Sequence, residues 1–419
     1  MANISEVSAR EVLDSRGSPT LDCTVLLEDG SRGSAMVPSG ASTGIHEAVE
    51  LRDGGKRFLG RGVLNAVTNI RKVMAPKLVG REAGNQRELD AFLVELDGTP
   101  TKKKLGANAI LGISLASARA SAASENHPLY VYLQELYGSP SLSIPVPFAN
   151  LLNGGKHAGN ALSIQEFMIA PVGAKNGAEA TRMVAEVYST LKKQLKNRMG
   201  SSSINVGDEG GFAPPFTKTA EALNAIVTAI NELGYSKHVR LAMDAAASSF
   251  YMDGSYSMDG RSLSTGELTD YYADLINNYS LLSLEDPFHE EDFEAYATLT
   301  KRFSNVQVVA DDLTVTNTAR LKTAVEKNAG NCLLLKVNQI GTLSESFEAA
   351  RLAVNHKWGV MVSHRSGETE DAFIADLAVA MDCKQIKLGA PCRGERTSKY
   401  NRLLQIEEAL SGVRFSWIR

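Results

Sequence analysis

CLLLKVNQIGT, residues 332–342, runs from four apolar residues straight into a lysine, with Asn338 and Gln339 close behind. Burying an ammonium is costly unless it is paired or neutral. An apolar run that ends on Lys336 therefore reads as a buried strand delivering a charge to a site. The same pattern recurs: RLAMD ends at Asp244, LLSLE at Glu285, VQVVAD at Asp311, VMVSHRS at His364 to Ser366, and QIK at Lys387. From Glu285 to Lys387 successive ends lie 26, 25, 28 and 23 residues apart, the length of one strand-plus-helix unit.

The helices between are legible too. In TLSESFEAARLAVNHK, Thr342 and Glu345 have capping-box spacing, and Leu343, Phe347, Ala350 and Val354 fall on one face. EDAFIADLAVAMD is another. Near-continuous apolar strands joined by amphipathic helices predict an α/β fold, a parallel sheet closed into a barrel whose strand C-termini share one mouth. The polar terminal residues then converge.

The first third reads as a separate α+β unit. TLDCTVLLEDGSRGSAMVP alternates like two strands around an Asp29-Gly30 turn, and three helical stretches follow, the last being GANAILGISLASARASAASEN. Between hairpin and helices, PSGASTGIHEA, residues 38–48, is small-residue-rich and reads as a flexible surface loop. Ser and Pro in YGSPSLSIPVP, residues 137–147, mark a boundary, dividing the chain into residues 1–138 and 139–419.

Against 48 Asp and Glu the 419 residues carry 44 Lys and Arg with no basic tract, which disfavours a nucleic-acid groove or an anionic membrane surface. No apolar run is long enough to span a bilayer, and the N-terminus has no signal core, so the cytoplasm is expected. Cys23, Cys332, Cys383 and Cys392 are scattered, against a disulfide framework or a zinc site. Small-molecule chemistry is the reading that remains.

Asp244, Glu285 and Asp311 at three strand ends would repel one another without a cation, and an all-oxygen set suits a hard divalent ion such as magnesium. Singly, each reads equally well as a helix cap or a surface ion pair. Glu166 in SIQEFMIAP and Glu209 in NVGDEGGFAPP are further acids, the second in a glycine-rich turn that a plain loop explains as well. HRSG offers Arg365 and Ser366 to a phosphate, or a surface salt bridge; His157 in NGGKHAGN stands in a loop where a histidine is often merely solvated. Desolvation and nearby cations would lower the pKa of Lys336 and make it a base. Base, metal and phosphate fork together predict proton abstraction beside a metal-held carboxylate on a phosphorylated substrate.

At these residues the sequence resembles the enolase family nearly end to end, through EVLDSRGSPT, PSGASTGIHEA, NGGKHAGN, QEFMI, GDEGGFAP, LEDP, ADDLTVTN, LLLKVNQIGT and SHRSGETED. The resemblance implies an eight-stranded TIM-like barrel behind a smaller N-terminal α+β domain, with opening strands that depart from simple alternation. It implies reversible dehydration of 2-phosphoglycerate to phosphoenolpyruvate in glycolysis and gluconeogenesis. Lys336 would take the proton from carbon 2, and Glu209 would act as acid on the leaving hydroxyl, supported by Glu166. Of two magnesium ions, one would sit on Asp244, Glu285 and Asp311 and the second would arrive with substrate and recruit Ser39. Lys or His bases with magnesium are the general pattern of this superfamily. His157, Gln165, His364, Arg365, Ser366 and Lys387 would bind substrate. A homodimer is implied, in some members an octamer, with no direct nucleic-acid or membrane contact. A racemase or acid-sugar dehydratase of the same superfamily would not need Glu209, Ser39 and HRSG together. A non-catalytic binding protein would need none of them.

Overall fold

Pro19–Leu27 (β2) and Arg32–Met36 (β3) form the predicted hairpin, turning at Gly30 with φ +87°. Ile4–Leu13 (β1), which no alternation announced, pairs antiparallel with β2. The computed structural model describes residues 2–40, 44–139, 141–415 and 417. After a first helical stretch running through Leu64–Asn69, Ile70–Met74 and Ala75–Leu78, three further helices follow: Gln86–Asp97 (α1), Ala107–Ser124 (α2) and Leu129–Tyr137 (α3). Asn85 caps α1 by accepting the Glu88 N–H, and Gly98 ends it in the left-handed region. The Ala/Ser composition of α2 has a packing cause: a Cβ on Gly33 of β3 would come within 2.2 Å of the Ala116 carbonyl oxygen, so helix and sheet meet backbone to backbone.

The barrel closes with eight strands: Val146–Asn153 (β4), Glu166–Ala170 (β5), Arg240–Asp244 (β6), Ser283–Glu285 (β7), Gln307–Ala310 (β8), Cys332–Leu335 (β9), Gly359–Ser363 (β10) and Gln385–Lys387 (β11). From β6 onward every neighbour is parallel, as the regular intervals predict, but β5 runs antiparallel to both β4 and β6. Two helices, Gly177–Met199 (α4) and Thr219–Glu232 (α5), separate β5 from β6. Leu343–Asn355 (α6) is capped by Thr342, which accepts the Glu345 N–H and donates its hydroxyl to the Glu345 carboxylate. Leu343, Phe347 and Ala350 of α6 are buried, whereas Val354, expected on the same face, is 53 % exposed, and in the last turn Ala353 faces the core instead.

The loop at 38–48 corrects its surface reading in part. Ser39 is 1 % exposed: its backbone pairs with Gly367 in both directions, and its hydroxyl meets Glu50 and Arg52. Gly44 to Ala48 dock on the barrel through Glu290, Arg365 and Gln339, and residues 41–43 lie outside the described residues. Among the described residues no helix is long and apolar enough to cross a membrane.

Candidate active site

Strand register sets the level of the acids. Glu166 pairs with Asp244, and Asp244 with Glu285, so three carboxylates stand abreast at the mouth. Glu166 reaches it because β5 is reversed: the first residue of that strand, rather than the last, lies at the rim. Asp311, Lys336 and His364 each follow immediately after the last residue of β8, β9 and β10, and Lys387 ends β11. One cavity is lined by all of these except Glu285, together with His157, Gln165, Glu209, Arg365 and Ser366.

A single ammonium answers the row of acids. Lys387 Nζ lies 2.8 Å from Glu285, 3.0 Å from Asp244 and 3.1 Å from Glu166. Burial opposes its charge, but Asp244, Glu166 and Glu285 hold it protonated well above the ordinary lysine range. Glu285 is pushed well up by burial and by Asp244. Gln165 donates to Asp244 at 3.5 Å.

Lys336 sits at the N-cap of a short helical turn, Val337–Ile340, with its ammonium bonded to Asp311. Its protonation is set by a contact that the spacing does not show. Burial does lower its pKa, but the Asp311 carboxylate outweighs burial and raises the net value, while Arg365 and Lys387 pull the other way. The carboxylate in contact with the ammonium leaves no trace in the strand spacing. Asp311 is in turn shared, since Gln339 Nε2 donates to it at 2.8 Å.

Glu209 is delivered by a turn that lies along β4, with the Asn153 N–H bonded to the Phe212 carbonyl at 2.8 Å and the Phe212 N–H to Leu151 at 2.9 Å. The flanking glycines are required by close approach: a Cβ on Gly207 would stand 2.4 Å from the His157 carbonyl oxygen. Asn150 donates to Glu209 at 3.1 Å, and His157 and His364 stand 3.6 and 3.5 Å from it. Glu166 and Glu209 are close enough to influence each other's protonation. Burial raises Glu209, yet His364, His157 and Lys387 together bring it well below the usual carboxylate range; burial and the Glu209 charge drive Glu166 well above it. The two carboxyl groups therefore titrate as a pair.

His364 has a fixed tautomer. Arg396 donates to its Nδ1 at 2.6 Å, which leaves Nε2 to carry the proton toward Glu209, and burial holds the ring neutral by lowering its pKa to about 3. His157 is also lowered by burial. Arg396, fully buried, further donates to the carbonyls of Arg365 and Ser366 at 2.6 Å each and so shapes the HRSG turn. Its position inside the helix Gly394–Ala409 gave no sequence signal. Nor did Asp286, which follows Glu285 with φ +42° and accepts the N–H groups of Asp311 and Asp312 at 3.0 and 2.8 Å. Its LEDP context was the only available clue.

The donor set suits a hard divalent cation. Six carboxylic acids line the cavity, Glu166, Glu209, Asp244, Asp286, Asp311 and Asp312, against three basic side chains, Lys336, Arg365 and Lys387. Asp312 is pushed up to about 8 by burial and the Asp311 charge, and Glu285 Oε2 and Glu166 Oε2 are buried without a hydrogen-bond partner. Such an excess of buried negative charge is what a dication relieves. Among the described residues Asp286, Asp311 and Asp312 converge within 4.8 Å, as do His157, Glu166 and Glu209; Asp244, Glu285 and Asp311 do not, because Lys387 draws the first two and Lys336 the third.

Residues 4–133 match the family description "Enolase, N-terminal domain" and residues 141–415 match "Enolase, C-terminal TIM barrel domain". The chain is 55 % identical to the enolase of Methanocaldococcus jannaschii over 97 % of its own length and 95 % of that protein. It is 54 % identical to that of Methanopyrus kandleri, covering 99 % of this chain and 97 % of that one. Against the enolase of Thermococcus gammatolerans the identity is 52 %, with 98 % and 96 % covered.

Proposed function

The chain belongs to the enolase family, and from that premise we propose how its own residues carry the reaction. It is a phosphopyruvate hydratase, a lyase acting on 2-phosphoglycerate in glycolysis. In this reading the substrate phosphate binds Arg365 and Ser366, with Gln165, His157 and His364 closing around the remainder. Magnesium on Asp244, Glu285 and Asp311 would supply positive charge against the extra negative charge that proton loss beside a carboxylate creates; a second ion would engage Ser39 only by drawing its hydroxyl away from Glu50 and Arg52.

Lys336 takes the carbon-2 proton. Once Asp311 is engaged elsewhere, Lys336 loses the contact that keeps it charged; burial, Arg365 and Lys387 all then favour the neutral amine. The electron pair left on carbon 2 expels the carbon-3 hydroxyl, which leaves as water on receiving a proton from Glu209. Glu166 holds the proton that Glu209 needs, beside it and already buried. Each positioned acid or base contributes about 10²–10⁴-fold.

The observation that carries this reading is where the two proton-handling groups stand. Lys336 and Asp311 rise from β9 and β8, while the Glu209 turn packs on β4, four strands from β8 in a ring of eight. A substrate between them would meet base and acid from different sides. We read residues 1–138 as the capping unit and 139–419 as the barrel unit, in a cytoplasmic homodimer. The test is growth of enol-phosphate absorbance with 2-phosphoglycerate: chelation should abolish it and magnesium restore it. Full turnover in rigorously metal-free protein would contradict the reading.

A further inference from the structure

Glu47 has no role in the scheme above, yet its carboxylate fills the fork of Arg365. Oε2 lies 3.1 Å from Nη1 and Oε1 3.1 Å from Nη2, and Asn338 accepts from Nη1 at 3.0 Å. The two side chains are only 3 % and 8 % exposed. Burial works against the Arg365 charge and Glu47 more than offsets it. A planar guanidinium fork fits a carboxylate or a phosphate edge through the same pair of N–H groups, so the two compete.

Glu47 is tethered where it stands. Oε1 also accepts the Gly44 N–H at 3.1 Å and Gln339 Nε2 at 3.3 Å. The neighbouring Ile45 N–H is fixed to Glu290 at 3.1 Å. A lone oxyanion arriving at Arg365 meets a neutral, occupied pair, and after displacing the carboxylate it would still lie beside a like charge. A ligand with a second anchoring group elsewhere in the cavity can offset that loss.

We propose that Glu47 is a resident phosphate surrogate that makes the site selective, holding the Arg365 fork against small oxyanions such as inorganic phosphate and yielding it to a ligand anchored at a second point. The proposal rests on Arg365 as the phosphate site, and the experiment separates the two. Inorganic phosphate is titrated calorimetrically, at fixed magnesium, into the wild type, Glu47→Gln, Arg365→Gln and the double variant, with folding checked by thermal melting. Binding of 2-phosphoglycerate to Arg365→Gln is measured alongside. Glu47→Gln should bind inorganic phosphate at least about tenfold more tightly, the scale of removing one close buried charge, and the double variant should lose that gain. Unchanged or weaker phosphate binding in Glu47→Gln, with Arg365→Gln impaired toward 2-phosphoglycerate, overturns the surrogate role and makes Glu47 an orienting partner. Undiminished 2-phosphoglycerate binding by Arg365→Gln overturns the phosphate site and the surrogate together. Should Glu47→Gln fail to fold, Glu47→Asp, which shortens the side chain and opens the fork, gives the same comparison.

Discussion

In the barrel interior Val146, Phe148, Met168, Val309, Leu334 and Met361 pack together, and Trp417 lies against Phe148 with ring centroids 5.5 Å apart. Beneath them Gln307 and Gln385 exchange amide hydrogen bonds at 2.9 and 3.0 Å. At the mouth the same strands lead into Glu166, Asp244, Glu285, Asp311, Lys336 and Lys387, each buried or nearly so. The interior is held by many contacts that are individually small. The mouth is held by a few charges that depend on one another, and removing one leaves its partners buried and unpaired. Stability should therefore be local in the interior and collective at the rim.

The largest expected break of that contrast comes from Lys387→Met, which leaves Glu166, Asp244 and Glu285 without their common cation. Loss of one member of a buried pair costs roughly 3–5 kcal/mol, and urea unfolding should show at least that loss, partly recovered by added magnesium. Leu334→Ala, at a fully buried interior position, should cost about 2–5 kcal/mol by the same measurement. Activity per folded molecule should stay near wild type, and magnesium should recover none of the stability lost to the substitution. Equal recovery in both variants would erase the distinction.

A smaller effect sharpens it through pH. His364 is held to about 3 in the folded chain, below its unfolded value near 6.5. Between those values the unfolded chain takes up a proton that the folded chain refuses. The stability contributed is thus present above about pH 6.5 and lost as pH falls toward 3, by about 1.4 kcal/mol per pH unit. Comparing unfolding at about pH 6 and about pH 5, His364→Gln should lose about 1 kcal/mol less than wild type. Equal losses would show that the ring is not held neutral.

What could be read from the sequence follows from the direction of each strand. Asp244, Glu285, Asp311, Lys336 and Lys387 were legible because a parallel strand is one apolar run and its functional residue comes last. Glu166 escaped this pattern because β5 is reversed, so its acid precedes the run and looks like a strand start. Asp286, Gln339, Arg396 and Glu47 escaped because they act on other residues across the fold: nothing local in LEDP or in the helix Gly394–Ala409 indicates which backbone or side chain will be met. The contact between Lys336 and Asp311 was hidden for a similar reason. Spacing showed that charges would converge, but not that Asp311 would touch the ammonium.

The central claim is that base and acid are different residues held on different parts of the ring, and isotope exchange tests it most directly. In deuterated water with magnesium, NMR follows the carbon-2 hydrogen of 2-phosphoglycerate after folding and metal binding of each variant are checked. Glu209→Gln should still exchange that hydrogen while forming almost no phosphoenolpyruvate, because Lys336 remains to remove the proton and no acid remains to release the hydroxyl. Lys336→Ala should lose both. Exchange that survives in Lys336→Ala and disappears in Glu209→Gln would reverse the two roles and contradict the account.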